Sequence, residues 1–474
     1  MQPTIAAPTA LPRSFHYNLR YIWLISLTAA MGGLLFGYDW VVIGGAKPFF
    51  EPFFRLSSEE GRGWANSCAL LGCLAGAISV GGLSDKFGRK RLLMISALLF
   101  AVSSVLTGWA STFNWFVTWR IFGGVAIGMA SGLSPMYIAE VAPAHLRGRL
   151  VAINQLTIVI GVLGAQVVNW LIARPVPDNA SADFIRASWN GQYAWRWMFT
   201  AITAPSLVFF VGSLLIPESP RWLVKNDQVD SARDILERIG GTSYGAAEVQ
   251  EIRYTLTREE IQHVRFADLL APKMLKILWV GIGLAVLQQW SGINVIFNYA
   301  EEIFREAGYG VSSILFNIVI TGVVMLLFTI IAIQTVDRFG RRALMLIGCV
   351  GIGLFHALIG FCYVLHLKGL LVVAPVLATI ACYSFSLAPV TWVLISEIFP
   401  NRIRGAAVSV AVSALWMACF ILTYTFPLLN RVLGPGMTFG LYAVICGAGS
   451  IFIYFRVPET KGKTLEQIEK ELVN

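Results

Sequence analysis

Asp85-Lys86-Phe87-Gly88-Arg89-Lys90 returns 252 residues later as Asp337-Arg338-Phe339-Gly340-Arg341-Arg342. A second pattern, Glu140-x-x-Pro143-x-x-x-Arg147-Gly148, returns as Glu397-x-x-Pro400-x-x-x-Arg404-Gly405. A third, Pro217-Glu218-Ser219, returns as Pro458-Glu459-Thr460. Three unrelated motifs recurring in one order indicate an internal duplication with both copies in the same orientation. Each copy of each motif stands at the end of a long apolar run, and those runs decide the fold.

Ten stretches contain no Asp, Glu, Lys or Arg: 63–84, 92–119, 150–173, 197–217, 277–300, 307–336, 343–367, 369–396, 405–430 and 432–455. Two more carry one charge each, 21–46 with Asp39 and 121–139 entered at Arg120. About 20 apolar residues suffice to cross a bilayer core. Of the 474 residues 56% are hydrophobic and 13% charged, with a mean hydropathy of +0.68, against about a quarter charged in soluble domains. The expectation is an all-α membrane protein of twelve transmembrane helices in two pseudo-symmetric six-helix halves. The boundaries read as a tail 1–20, a first half 21–217, a linker 218–276, a second half 277–457 and a tail 458–474. In the linker Ala232, Ile235, Leu236 and Ile239 share one helical face that ends at Gly240-Gly241, which predicts short amphipathic helices packed under the bundle.

An even number of spans puts both termini on one side. The five connections on that side hold 20 Lys and Arg, and the six on the other hold fewer than half as many. The positive-inside rule makes the first side, and both termini, cytoplasmic. The net charge of +9 is therefore topology, and no nucleic-acid partner is expected. All seven cysteines lie inside apolar runs and read as small buried hydrophobes. No cleavable signal peptide is expected.

The motifs also resemble a known family. The first span reads Gly32-Gly33-Leu34-Leu35-Phe36-Gly37-Tyr38-Asp39, and the first half ends Pro217-Glu218-Ser219-Pro220-Arg221-Trp222-Leu223. The seventh span carries Gln288-Gln289-x-x-Gly292-Ile293-Asn294, and the tail reads Pro458-Glu459-Thr460-Lys461-Gly462-Lys463-Thr464. The ordered set, from about Tyr21 to Glu466, strongly resembles the sugar porter family of the major facilitator superfamily. Within it, the pattern is similar to that of the bacterial D-xylose:proton symporters. The resemblance implies alternating access to a monosaccharide site between the halves, in a bacterial inner membrane, by a protein functional as a monomer and without a cofactor.

Asp39 and Arg120 are the only strong charges expected within the spans. Both fall roughly a third of the way in from the outside, at 1.5 Å per residue. An intramembrane ionisable pair marks function by default. A carboxylate that takes up a proton when parted from its arginine is a proton coupler; a static bridge fixing helix packing is the alternative. In the family that this chain resembles, proton symporters carry Asp at this position and passive animal glucose facilitators carry Asn.

Sugar hydroxyls donate and accept, and so do Gln and Asn, without a charge to compensate. Gln288, Gln289 and Asn294 lie in the seventh span, with Gly292 allowing a break between them. Gln155 is in the fifth span, Trp392 in the tenth and Trp416 in the eleventh; by resemblance these line the central cavity, with Asn298 added. Each amide alone has a rival reading as a helix–helix hydrogen bond, and the tryptophans as packing. The chain departs from the family pattern at Asn298, Met325, Leu415, Val162 and Ala388, so the sugar need not be xylose.

On the cytoplasmic side Asp85, Arg89, Glu140, Arg147, Glu218 and Arg221 form one set, and Asp337, Arg341, Glu397 and Arg404 repeat it. Duplication favours a gate between the halves; the bland alternative is surface pairs worth roughly 0–1 kcal/mol each. Three functions compete: proton-coupled sugar uptake, a passive sugar or polyol facilitator, and a nutrient sensor on the same scaffold. The tails are short for a sensor. An enzyme is not expected, because the five histidines form no metal-binding pattern and no nucleophile triad stands out.

Overall fold

The computed structural model describes residues 15–177, 180–261, 269, 271–399 and 404–461. Every regular element among them is helical. The first half holds α1 (Leu19–Phe54), α2 (Glu59–Phe87), α3 (Arg89–Gly108), α4 (Phe113–Val141), α5 (Ala144–Ile172) and α6 (Asn190–Leu215). The second holds α7 (Met274–Asn298), α8 (Val311–Phe339), α9 (Arg341–Val364) and α10 (Leu370–Glu397). One further helical stretch, Arg404–Arg456, turns at Gly434, whose φ of 75° permits the reversal. It comprises two spanning helices, α11 (404–433) and α12 (435–456), so the described residues hold twelve spanning helices.

Small residues decide which helices touch. Gly72 and Gly76 of α2 lie against the Ile121 and Val125 carbonyls of α4, while Gly124 and Gly128 of α4 lie against Ala69 and Cys73 of α2. Gly37 of α1 and Gly161 of α5 repeat the arrangement at Ile158 and Leu34. A side chain at any of these positions would collide with backbone. Between apolar helices in lipid, such close approach supplies the packing that the hydrophobic effect does not.

The linker carries helices Pro220–Lys225, Val229–Gly240 and Thr242–Ile261. In the second of these Ala232, Ile235, Leu236 and Ile239 are buried, as their spacing predicted. All seven cysteines are free thiols; six are buried and Cys382 is half-buried.

One boundary is corrected. The first span does not end at residue 46: α1 runs on through Pro48 and Pro52 to Phe54. Asp39 and Arg120 are therefore not the only charges inside the helices. Lys47, Glu301 and Arg196 are buried as well. Pro48 and the adjacent charge look like a helix end in sequence, but in the structure Lys47 is buried with partners on α1 itself and on the helix Ala300–Glu306.

Candidate functional site

The structure brings Asp39 and Arg120 together. An Arg120 guanidinium N–H donates to the Asp39 carboxylate at 2.5 Å, and both side chains are nearly inaccessible, at 6% and 3%. Gly123, one turn along α4, keeps space for the carboxylate; a Cβ there would lie 3.1 Å from it. The guanidinium also faces the Phe199 ring at 5.3 Å. Removing one member of such a buried pair typically costs about 3–5 kcal/mol, because the other charge is left stranded.

The amides of α7 form a chain. Its first segment ends at Trp290, Gly292 adopts a φ of 84°, and Ile293–Asn298 forms a new turn of helix. Asn294 donates to the Gln289 side-chain oxygen, and Gln289 donates to that of Gln288 at 3.1 Å. Gln288 in turn donates to the Leu387 carbonyl at 3.3 Å. Leu387 opens the second segment of α10, which breaks at Ser386. Gln288 therefore ties the break in α7 to the break in α10. A third helix joins them: His356 Nε2 of α9 lies 2.7 Å from the Ser291 carbonyl.

Trp416 is buried against Phe36 of the other half, ring centres 5.9 Å apart, and its indole N–H has no partner. Asn298 is buried with its side-chain oxygen unpaired. Buried polar atoms are nearly always bonded, and these two have hydrogen-bonding capacity unused within the protein. Gln155 and Trp392 are half-buried.

The duplicated charged motifs acquire a concrete geometry on the face where α1 begins and α12 ends. Arg89 makes two contacts of 3.0 Å with the Glu140 carboxylate and one of 3.2 Å with Asp85. Glu218 accepts the backbone N–H of Arg89 at 2.8 Å and of Lys90 at 3.0 Å, capping α3. In the second half Glu459 caps α9 by accepting from Arg341 and Arg342, and Arg341 lies 3.6 Å from Glu397. Each of these contacts joins elements of one half. Arg147 is exposed and Arg221 half-buried. The side chains of Asp337 and Arg404 lie outside the described residues.

The halves meet on the opposite face. Lys47 pairs with Glu302, Gly44 lies against the Phe297 carbonyl and Gly63 against that of Tyr424. Trp64 packs on Phe420, and Gln166 of α5 donates to Thr321 of α8 at 3.2 Å. Sequence reasoning missed Lys47, Gln166 and His356. Gln166 was visible as an uncharged polar residue in an apolar run, and His356 as a lone histidine in another. Lys47 lies just beyond the span 21–46 that the charge pattern marks out.

The family model of sugar (and other) transporters matches residues 25–472. The chain belongs to this family of transporters and is a multi-pass membrane protein. It is 40% identical to a glucose transport protein of Synechocystis sp. (strain PCC 6803), over 97% of this chain and all of the relative. It is 37% identical to the D-xylose-proton symporter of Escherichia coli (strain K12), over 96% of each. A partially occluded, inward-open structure of the xylose transporter from E. coli superimposes with a TM-score of 0.82 at 35% identity, covering 94% of this chain and all of that one. The fold is that of the major facilitator superfamily.

Proposed function

We propose that this protein moves a monosaccharide into the cell together with a proton, by alternating access. The observation that carries the proton is the buried Asp39–Arg120 pair. A shift between α1 and α4 that breaks the pair would leave the carboxylate without its guanidinium, and that step is assigned to loading and releasing the coupling proton. Binding of sugar and proton would each bias the same two-state bundle.

The sugar is assigned to the space between the halves, against the chain Gln288–Gln289–Asn294, with Asn298 and Trp416 offering unpaired groups and Gln155 and Trp392 at its edge. The amides donate and accept toward hydroxyls, and the indoles offer flat apolar faces to the sugar ring. Relatives that carry glucose and xylose by name support a sugar cargo. The terminal face is taken as cytoplasmic, from its excess of Lys and Arg, in a bacterial inner membrane. On that face Asp85, Arg89, Glu140, Arg147, Glu218 and Arg221, with Asp337, Arg341, Glu397 and Arg404, are assigned to the gate. One chain suffices for the cycle, because both halves of the site lie within it.

The test is uptake of a panel of labelled sugars into proteoliposomes, with and without an imposed pH gradient. Accumulation above the outside concentration, only with the gradient, is expected for at least one sugar. Equalisation without accumulation would make the protein a passive facilitator.

A further inference from the structure

Lys47 is fully buried, two turns beyond Asp39 on α1. Its ammonium pairs with Glu302, in the short helix Ala300–Glu306 that follows α7. It also lies 3.7 Å from Glu51, one turn further along α1, and 4.4 Å from the centre of the Tyr299 ring. Glu301, buried beside Glu302, pairs with Arg305 one turn on. Arg62, at the start of α2, approaches Glu51 at 3.6 Å and Glu59 at 3.7 Å. At this level the Gly44 backbone lies directly on the Phe297 carbonyl, so the two halves are in contact.

We propose that the Lys47–Glu302 pair is an electrostatic latch, and that Lys47 sets the balance between forms closed and open on the face opposite the termini. The proposal rests on the alternating-access reading above. A buried charge is tolerated only with a partner. Lys47 has two, one in each half, and the partner in its own half stays with it however the halves move. Glu301 likewise keeps Arg305. Only Glu302, with 28% of its side chain exposed, exchanges a cross-half partner for solvent when the halves part. The closed form therefore gains one ion pair, while the open form leaves no charge stranded. That is the requirement for a switch with two populated positions rather than a fixed clamp.

The experiment uses the full chain in lipid nanodiscs, with spin labels at Ser57→Cys and Lys368→Cys, both exposed on the opposite face, one in each half. Distance distributions are read without sugar and without a proton gradient. Lys47→Met and Glu302→Gln are each expected to raise the ratio of open to closed forms by about tenfold or more. The double variant should shift it no further than the larger single change, because both remove the same contact. Lys47→Arg, which keeps the charge, should stay close to the parent. Unchanged distributions in the single variants, fully additive shifts, or an Arg variant that behaves like Met would overturn the latch. If Lys47→Met does not fold, Glu302→Gln and Lys47→Arg decide the question. A failure of sugar uptake would leave these distances unaffected, so the two readings fail separately.

Discussion

The Glu459 carboxylate accepts the backbone N–H of Arg341 at 2.9 Å. Glu218 does the same for Arg89 in the first half. These contacts explain why the Pro-Glu motif and the Gly-Arg motif are duplicated together. The carboxylate occupies the positive end of a helix dipole, and Gly88 and Gly340, at φ of 89° and 88°, leave room for it. Partial burial disfavours the charged form of Glu459, but N–H groups of Lys461, Arg341, Arg342 and Thr460 outweigh it and hold its carboxyl below its ordinary value of 4.5.

The pH dependence follows from that direction. A depressed carboxyl contributes stability that is fully present above 4.5 and is lost as pH falls through the lower native value. Hydrogen exchange at the Arg341 and Arg342 amides should stay slow down to about the ordinary carboxylate range and accelerate only below it. Glu459→Gln should remove that acid transition.

Gly88→Ala should destabilise the first half. The new Cβ adopts a strained φ and meets the Glu218 carboxylate. A loss of about 1–3 kcal/mol is expected, read as a lower unfolding temperature in detergent. The same change at Gly81, where a Cβ meets nothing within 4 Å, should have little effect.

Asp39→Asn keeps the shape of the carboxylate and removes the titratable group. One proton contributes about 2.3 kcal/mol per 100 mV, and a unit of pH about 1.4 kcal/mol. Together they support roughly 500-fold accumulation. The variant should lose uphill accumulation yet still exchange sugar across the membrane. Proteoliposome uptake against a gradient decides it, and concentrative uptake by the variant would remove Asp39 from the coupling role.

Gln288→Ala should weaken sugar binding by about 1–3 kcal/mol, or five- to 150-fold. The amide closes the chain from Asn294 to the Leu387 carbonyl, so its loss frees both breaks and leaves Gln289 without an acceptor. Calorimetry on folded protein provides the measurement; unchanged affinity would exclude it from the site.

Glu397→Gln removes a charge assigned to the gate on the terminal face and should shift the population toward the form open there, without changing sugar chemistry at the midplane. Accessibility of engineered cysteines around that mouth reads the shift. An unaltered distribution would leave these charges with a topological role alone.

The sequence by itself determined the twelve spans, the duplication and the amphipathic linker helix. Each rests on a local rule: a span needs an unbroken apolar run, and a helical face repeats every three to four residues. It also singled out Asp39, Arg120 and the amides of α7, because polar groups in apolar runs are costly and therefore conspicuous. Only the tertiary structure decided where those groups find partners. Asp39 meets Arg120 from three helices away, and Gln288 reaches the break in α10. Lys47 looked like the end of a helix, since charge and proline together mark an end in isolation. In the structure it is buried and pairs with Glu302 in the other half. Whether a charge is buried depends on its partner's location in space, and no local window of sequence contains that.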